Sequence, residues 1–143
     1  MIIVLEMSFM SEKRNFSAKR EAVYRAISTL GSHPSAEQIY EYLKADIPDL
    51  SLGTVYRNLS VFKQNGKIRS VGVFNGQERF DSDMSAHSHF VCERCYAIYD
   101  IPFTAEMLEK SIREQIEREY GAEVKSHSIV FYGICRSCKK VNC

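Results

Sequence analysis

Residues 51–81 read S-L-G-T-V-Y-R-N-L-S-V-F-K-Q-N-G-K-I-R-S-V-G-V-F-N-G-Q-E-R-F-D. Leu52, Val55, Leu59 and Phe62 recur at the 3.6-residue period of a helix with one buried face, and Ser51 is placed to cap it. Gly53, Tyr56, Arg57, Ser60, Lys63 and Gln64 fall on another face. After Gly66 the pattern changes to K-I-R-S-V-G-V-F, then Asn75-Gly76, then Q-E-R-F-D. Asn-Gly between two such runs is the strongest short signal for a type I′ hairpin. A polar-faced helix followed directly by a hairpin predicts a recognition helix and its wing.

Upstream, Val23, Ile27 and Leu30 predict a first helix that Ser17 caps and Gly31 closes. His33-Pro34 breaks the chain, and Ser35-Ala-Glu-Gln38 is a capping box opening a second helix with Ala36, Ile39 and Leu43 inward. Three short helices with tight connections suggest a helix-turn-helix unit. Residues 11–70 carry ten Lys/Arg against six Asp/Glu, whereas residues 71–143 carry nine against eleven. The basic half coincides with the helices, as a nucleic-acid surface requires. Arg57 can reach a guanine edge or a phosphate, and Tyr56 a thymine methyl or a phosphate. Gly53 costs about 1 kcal/mol of helix propensity relative to Ala, which fits a position where a side chain would obstruct a partner. Ser60, Lys63, Lys19, Arg20 and Arg14 complete the expected DNA-binding set. Residues 1–81 are thus expected to form a winged-helix DNA-binding domain, with 1–10 as a flexible extension.

That extension has a brief apolar run without a positive leader region, and it is too short to span a membrane. A cytoplasmic protein with no membrane partner is expected, in a reducing compartment where cysteines more often hold metal than form disulfides. At 45% hydrophobic and 26% charged, the 143-residue chain has the composition of a soluble protein with a core.

Residues 82–143 are expected to form a small α/β metal-binding and dimerisation domain, making the whole chain α+β. Ser82 to Ala86 is a polar linker. Strands are expected through Phe90 to Cys92, over Ala97 to Ile101, and from Glu123 to Ile134. A long helix capped by Thr104 and closed by Gly121 should turn Leu108, Ile112 and Ile116 inward. Two C-x-x-C knuckles, Cys92/Cys95 and Cys135/Cys138, suit a closed tetrahedral Zn²⁺ of structural type. Residues two apart on a strand share a face, so His87 and His89 can offer both imidazoles to one ion. Asp81 and Asp100 could add hard oxygen ligands, giving a mixed site suited to Fe²⁺, Mn²⁺ or Zn²⁺. A zinc hydrolase would need a general base and a pocket that the sequence does not identify. Cys143 is left over, either as a loose terminal thiol or as a redox or intersubunit partner.

The order H-P-S-A-x-x-I-Y, S-L-G-T-V-Y-R-N-L, R-F-D, H-x-H-F-x-C-x-x-C and Y-G-I-C-x-x-C resembles the ferric uptake regulator family of bacterial metal-dependent repressors, over about residues 13–140. The resemblance implies a regulatory metal site at His33, Asp81, His87, His89 and Asp100, binding Fe²⁺ or Mn²⁺. It also implies a homodimer acting on double-stranded operator DNA with two-fold symmetry. Asp100 is the residue type of the peroxide-sensing, PerR-like branch, where iron-uptake members usually carry Glu. For that branch the resemblance implies that Fe²⁺ and peroxide convert His33 and His87 to 2-oxo-histidine, which releases the metal and lifts repression. An iron- or zinc-uptake repressor is the alternative within the family. Two positions depart from the pattern. Ala86-His87-Ser88-His89 stands where the uptake branch often has H-H-D-H, and Asn15 stands where a minor-groove lysine is frequent, so that Arg14 substitutes for it.

Overall fold

The computed structural model describes residues 18–102 and 106–141. Arg14, Ser17, Thr104, Cys143, residues 1–10 and the side chain of Leu108 lie outside the described residues. The chain divides after Met84 into two compact units.

The first unit begins with α1 (18–30), whose end is turned by Gly31 at φ +64°, with its N–H 3.4 Å from the Ile27 carbonyl. Helix α2 (Ala36–Leu43) starts at the capping box: Ser35 Oγ accepts from the Gln38 N–H, and the Gln38 side chain accepts from the Ser35 N–H. Helix α3 (Leu52–Gln64) is capped by Ser51, whose Oγ accepts from the Thr54 N–H at 3.1 Å. Strands β1 (Arg69–Phe74) and β2 (Gln77–Asp81) pair antiparallel. Asn75 and Gly76 both have positive φ, +50° and +74°, as a type I′ turn demands. A bulge between Ser70 and Gly72 interrupts the ladder. Gly72 sits at φ +147°, and a Cβ there would lie 2.8 Å from the Phe74 ring, so only glycine fits.

One core joins these elements. Val23 and Ile27 from α1, Ile39 from α2, Val55, Leu59 and Phe62 from α3, Ile68 and Phe80 pack together almost without exposure. Each such side chain stabilises the unit by about 1.5–3 kcal/mol relative to leaving it in water.

In the second unit, β3 (Ser88–Cys92) is the middle strand of three. It pairs antiparallel with β4 (Ile98–Ile101) and parallel with β5 (Val130–Gly133). Helix α4 (Glu106–Tyr120) ends at Gly121, φ +62°, whose N–H bonds the Glu117 carbonyl at 3.0 Å. A five-residue helix α5 (Arg136–Lys140) follows Cys135.

Two expectations are corrected here. The strand foreseen from Glu123 to Ile134 shrinks to Val130–Gly133, because β3 supplies partners only from His89 to Cys92. The polar run containing Glu123, Lys125 and Ser126 is exposed and lies in no strand. Ile112, expected inward, is 48% exposed, and Ile116 is only half-buried. Three strands of four or five residues are too small a surface to cover a helix of 15 residues. Both isoleucines instead line an open groove of about 220 Å³ with Val124 and Ile129.

Leu59 is 1% exposed at the centre of the first core. Leu59→Ala should lower the stability of that unit by about 2–5 kcal/mol, as an earlier unfolding midpoint in guanidinium followed by hydrogen exchange of α3 amides.

Candidate metal centres and nucleic-acid interface

The end of β3 builds the thiol cluster. Tyr96, at φ +58°, folds the chain back so that its N–H reaches the Cys92 carbonyl at 2.9 Å, and the Cys92 N–H bonds the Ala97 carbonyl at 3.0 Å. The Glu93 N–H bonds the Gly133 carbonyl at 2.8 Å, which brings the second knuckle alongside. Cys135 then donates its N–H to Cys92 Sγ at 3.3 Å, and Cys138 donates to Cys135 Sγ at 3.5 Å. The Arg94 guanidinium bonds the carbonyls of Cys138 and Val141, tying the knuckles together from outside. Nothing in the C-x-x-C spacing signals that role for Arg94.

All four Sγ atoms lie within 4.8 Å of one another. Ligands about 2.3 Å from a tetrahedral Zn²⁺ stand about 3.8 Å apart, and Cys95 Sγ and Cys135 Sγ are separated by 3.8 Å. The thiols therefore fit zinc. Their acidities point the same way. The Cys135 backbone N–H, followed by that of Cys95, holds the Cys92 thiol down at about 6. The Cys138 N–H lowers Cys135, whereas burial and then the neighbouring thiols push Cys138 up to about 12. Backbone dipoles alone thus favour some thiolates but not four, and a divalent cation is what lets the whole set ionise.

Register builds the second centre. In the β3–β4 ladder His89 stands opposite Asp100, and His87 precedes β3 by one residue. The Nε2 atoms of His87 and His89 are 3.0 Å apart, and Asp100 Oδ1 lies 3.4 Å and 3.5 Å from them. A carbonyl can only accept, so the 3.0 Å contact of His87 Nδ1 with the Ser85 carbonyl places the proton on Nδ1 and presents the Nε2 lone pair. Adjacent ligands about 2.1 Å from an octahedral ion are about 3.0 Å apart, so two imidazoles and one carboxylate fit Fe²⁺ or Mn²⁺ with positions left open.

His33 and Asp81 belong to the first unit. His33 is buried at φ +53°, and its Nε2 is 4.0 Å from Asp81 Oδ2. Three consecutive residues of β2 hold this loop. Arg79, 8% exposed, donates to the His33 and Ser32 carbonyls; the Phe80 N–H donates to Pro34; and the Asp81 carboxylate faces the imidazole. Asp81 itself accepts from Arg69 Nε at 3.1 Å and from the Asp83 N–H at 2.8 Å. R-F-D stands out as a motif, but residue type gives no sign that its arginine is buried.

Along α3, Gly53, Tyr56, Arg57, Ser60 and Lys63 are exposed. Gly53 has helical φ, and an added Cβ would meet only Ser51 Oγ at 3.9 Å, so nothing among the described residues requires glycine there. Arg20 Nε bonds the Oδ1 of buried Asn58 at 3.2 Å, which anchors α1 to α3. Lys19 pairs with Asp49 and Lys63 with Glu78. The Tyr56 hydroxyl donates to Glu37, which lowers that carboxyl's pKa and raises that of the phenol.

A winged helix carried with a thiol centre and an imidazole-carboxylate centre is the architecture of a metal-responsive regulator. The model of the ferric uptake regulator family matches residues 12–132. The chain is 31% identical to the peroxide-responsive repressor PerR of Staphylococcus epidermidis over 122 residues, 85% of this chain and 79% of the repressor. In structure it is similar to the Campylobacter jejuni peroxide stress regulator, with TM-score 0.72 and 27% identity over 94% of this chain and 98% of that one. It is also similar to the Helicobacter pylori ferric uptake regulator, which has three functional metal-binding sites, with TM-score 0.73 and 25% identity over 98% and 94%. The chain belongs to the ferric uptake regulator family, whose members are metal-responsive, DNA-binding transcriptional regulators rather than enzymes. Among the described residues no helix is long and apolar enough to cross a membrane.

Two outcomes follow from this geometry. Cys135→Ser should abolish retention of about one Zn²⁺ per chain and expose the amides of residues 89–92 and 130–133 to exchange, while amides of α3 stay protected. Gly53→Ala should raise the stability of the first unit by about 0.8–1 kcal/mol and weaken DNA binding, as read by thermal melting and by fluorescence anisotropy on duplex DNA.

Proposed function

We propose that this chain is a cytoplasmic, metal-dependent transcriptional repressor that senses hydrogen peroxide through its own histidine ligands. Its structural Zn²⁺ is held by Cys92, Cys95, Cys135 and Cys138. Its regulatory Fe²⁺ or Mn²⁺ is held by His33, Asp81, His87, His89 and Asp100. The single observation that carries the reading is the β3–β4 register, which sets the carboxylate of Asp100 against two convergent imidazoles. Asp at this position, together with similarity to the staphylococcal repressor, favours the peroxide-sensing branch over an uptake regulator.

Ligands drawn from both units restrict the arrangements available to the units once they share an ion. Metal binding then selects the form that fits DNA, and DNA reciprocally tightens metal binding. Residues 53, 56, 57, 60 and 63 of α3 face the major groove, with Lys19 and Arg20 on the phosphates and Arg14 in the minor groove. The chain acts as a homodimer on a two-fold operator. The exposure of Ile112 on α4, and of Phe131 and Tyr132 on the edge strand β5, supports a partner copy at the second unit.

Held by these residues, Fe²⁺ would lend one electron to cleave the O–O bond of hydrogen peroxide and regain it from the oxidised imidazole, chemistry that Mn²⁺ does not readily give. The C2 carbon of His33 or His87 takes up one oxygen, giving 2-oxo-histidine with water as the other product. The oxidised ring is a poor ligand, so the set loses affinity and repression ends.

Mass spectrometry of peptides containing His33 and His87, from Fe²⁺-loaded protein before and after a peroxide pulse, tests this with the Mn²⁺ form as control. Addition of one oxygen to either histidine in the iron form alone is expected. Unmodified histidines in protein that still binds DNA in a metal-dependent way would leave an uptake-type regulator as the correct reading.

A further inference from the structure

Three side chains assigned to the DNA-reading face already hold carboxylates of their own unit. Lys19 Nζ lies 2.5 Å from Asp49 Oδ2, Lys63 Nζ lies 2.7 Å from Glu78 Oε1, and the Tyr56 hydroxyl donates to Glu37. The partners come from different elements: Glu37 from the first turn of α2, Asp49 from the turn before α3, and Glu78 from the wing strand β2. None of the three carboxylates is buried, so burial is not the reason for pairing them. Lys63 and Glu78 also line, with Tyr56, Ser60 and Phe80, an open cavity of about 240 Å³ beside α3, which leaves the lysine room to swing away from its partner.

We propose that Glu37 and Glu78, with Asp49 in support, are specificity-determining residues: they occupy the cations and the phenol that would otherwise grip any phosphate, so that only a sequence offering base contacts displaces them. The inference rests on the reading of α3 as the DNA-contacting helix and deepens it. A phosphate that takes Lys63 must break an existing ion pair, and the freed carboxylate is left close to the DNA backbone. Non-specific binding is almost entirely of this phosphate type, whereas specific binding adds base contacts that offset the exchange. The carboxylates therefore weaken non-operator complexes more than operator complexes. An even surface charge is also consistent with the chain's overall balance of 19 basic against 18 acidic residues.

The test uses Mn²⁺-loaded full-length protein and two probes of equal length and base composition. One is a duplex selected from a random-sequence pool by the wild-type protein, and the other is its scrambled counterpart. Glu37→Gln/Glu78→Gln is nearly isosteric, and Glu78→Gln alone serves as a second variant. Each freed lysine that takes a phosphate adds about 0.9 to the slope of log Kd against log salt. The expected result is scrambled-duplex affinity raised several-fold to tenfold, a steeper slope, a smaller change on the selected duplex, and hence a lower affinity ratio between the two. In a Lys63→Met background Glu78→Gln should lose its effect on the slope, and Glu119→Gln on α4 should leave the ratio unchanged. Equal shifts on both duplexes, or a Glu78→Gln effect on the salt slope that survives Lys63→Met, would overturn the inference. Wild-type protein that binds neither duplex with metal would overturn the DNA-reading assignment and this inference with it. Wild type that binds while the variants match it would overturn the inference alone.

Discussion

Strand β3 is the constraint on which the second unit depends. Five residues long and central in its sheet, it carries His89 near its start and Cys92 at its end. It therefore meets both candidate centres, through β4 at Asp100 and through the end of β5 at the second knuckle. A sheet of three strands this short buries little apolar surface, with Val91, Cys92 and Ile98 as its most enclosed apolar side chains. Burial on that scale does not hold such a unit by itself. Ligation of a zinc ion by the four thiols would supply the missing stabilisation, and by fixing the end of β3 it would also fix the register that aims the imidazoles.

The first unit solves a different problem. Its core is ample, and the expensive feature is the loop at His33, where a non-glycine residue adopts positive φ before a proline. Arg79 offsets this by giving the Ser32 and His33 carbonyls a charged donor inside the protein, while the adjacent Phe80 anchors in the core. Backbone strain at His33 is thus held by the same strand that forms the wing. Support of the His33 loop and pairing of the wing are not separable in β2.

Features decided within a few residues were legible in the sequence. The capping box at Ser35, the cap at Ser51 and the Asn75-Gly76 turn rest on local dihedrals and local hydrogen bonds, and each forms as read. Periodicity likewise found Val55, Leu59 and Phe62. The two knuckles were legible because spacing alone brings their sulfurs close. What escaped depends on partners distant along the chain. The length of β5 is set by β3, the exposure of Ile112 by the small sheet, and the burial of Arg79 by carbonyls 46 and 47 residues away. The bulge at Gly72 escaped because a glycine in a strand permits it without demanding it.

The separation of Cys92 and Cys135 by 43 residues orders events in time as well as in space. Residues 18–84 contain every described element of the winged helix, so that unit can fold as soon as they leave the ribosome. The parallel pairing of β3 with β5 is long-range, and its loop-closure cost must be met before any contact rewards it. Until the second knuckle emerges, Cys92 and Cys95 form half a ligand set. A newly made chain is therefore expected to pass through a stage in which its DNA-reading half is folded while its metal-binding half remains open to competing ions and oxidants. Zinc supply during synthesis, rather than affinity in the finished protein, would then govern how much of the regulator matures.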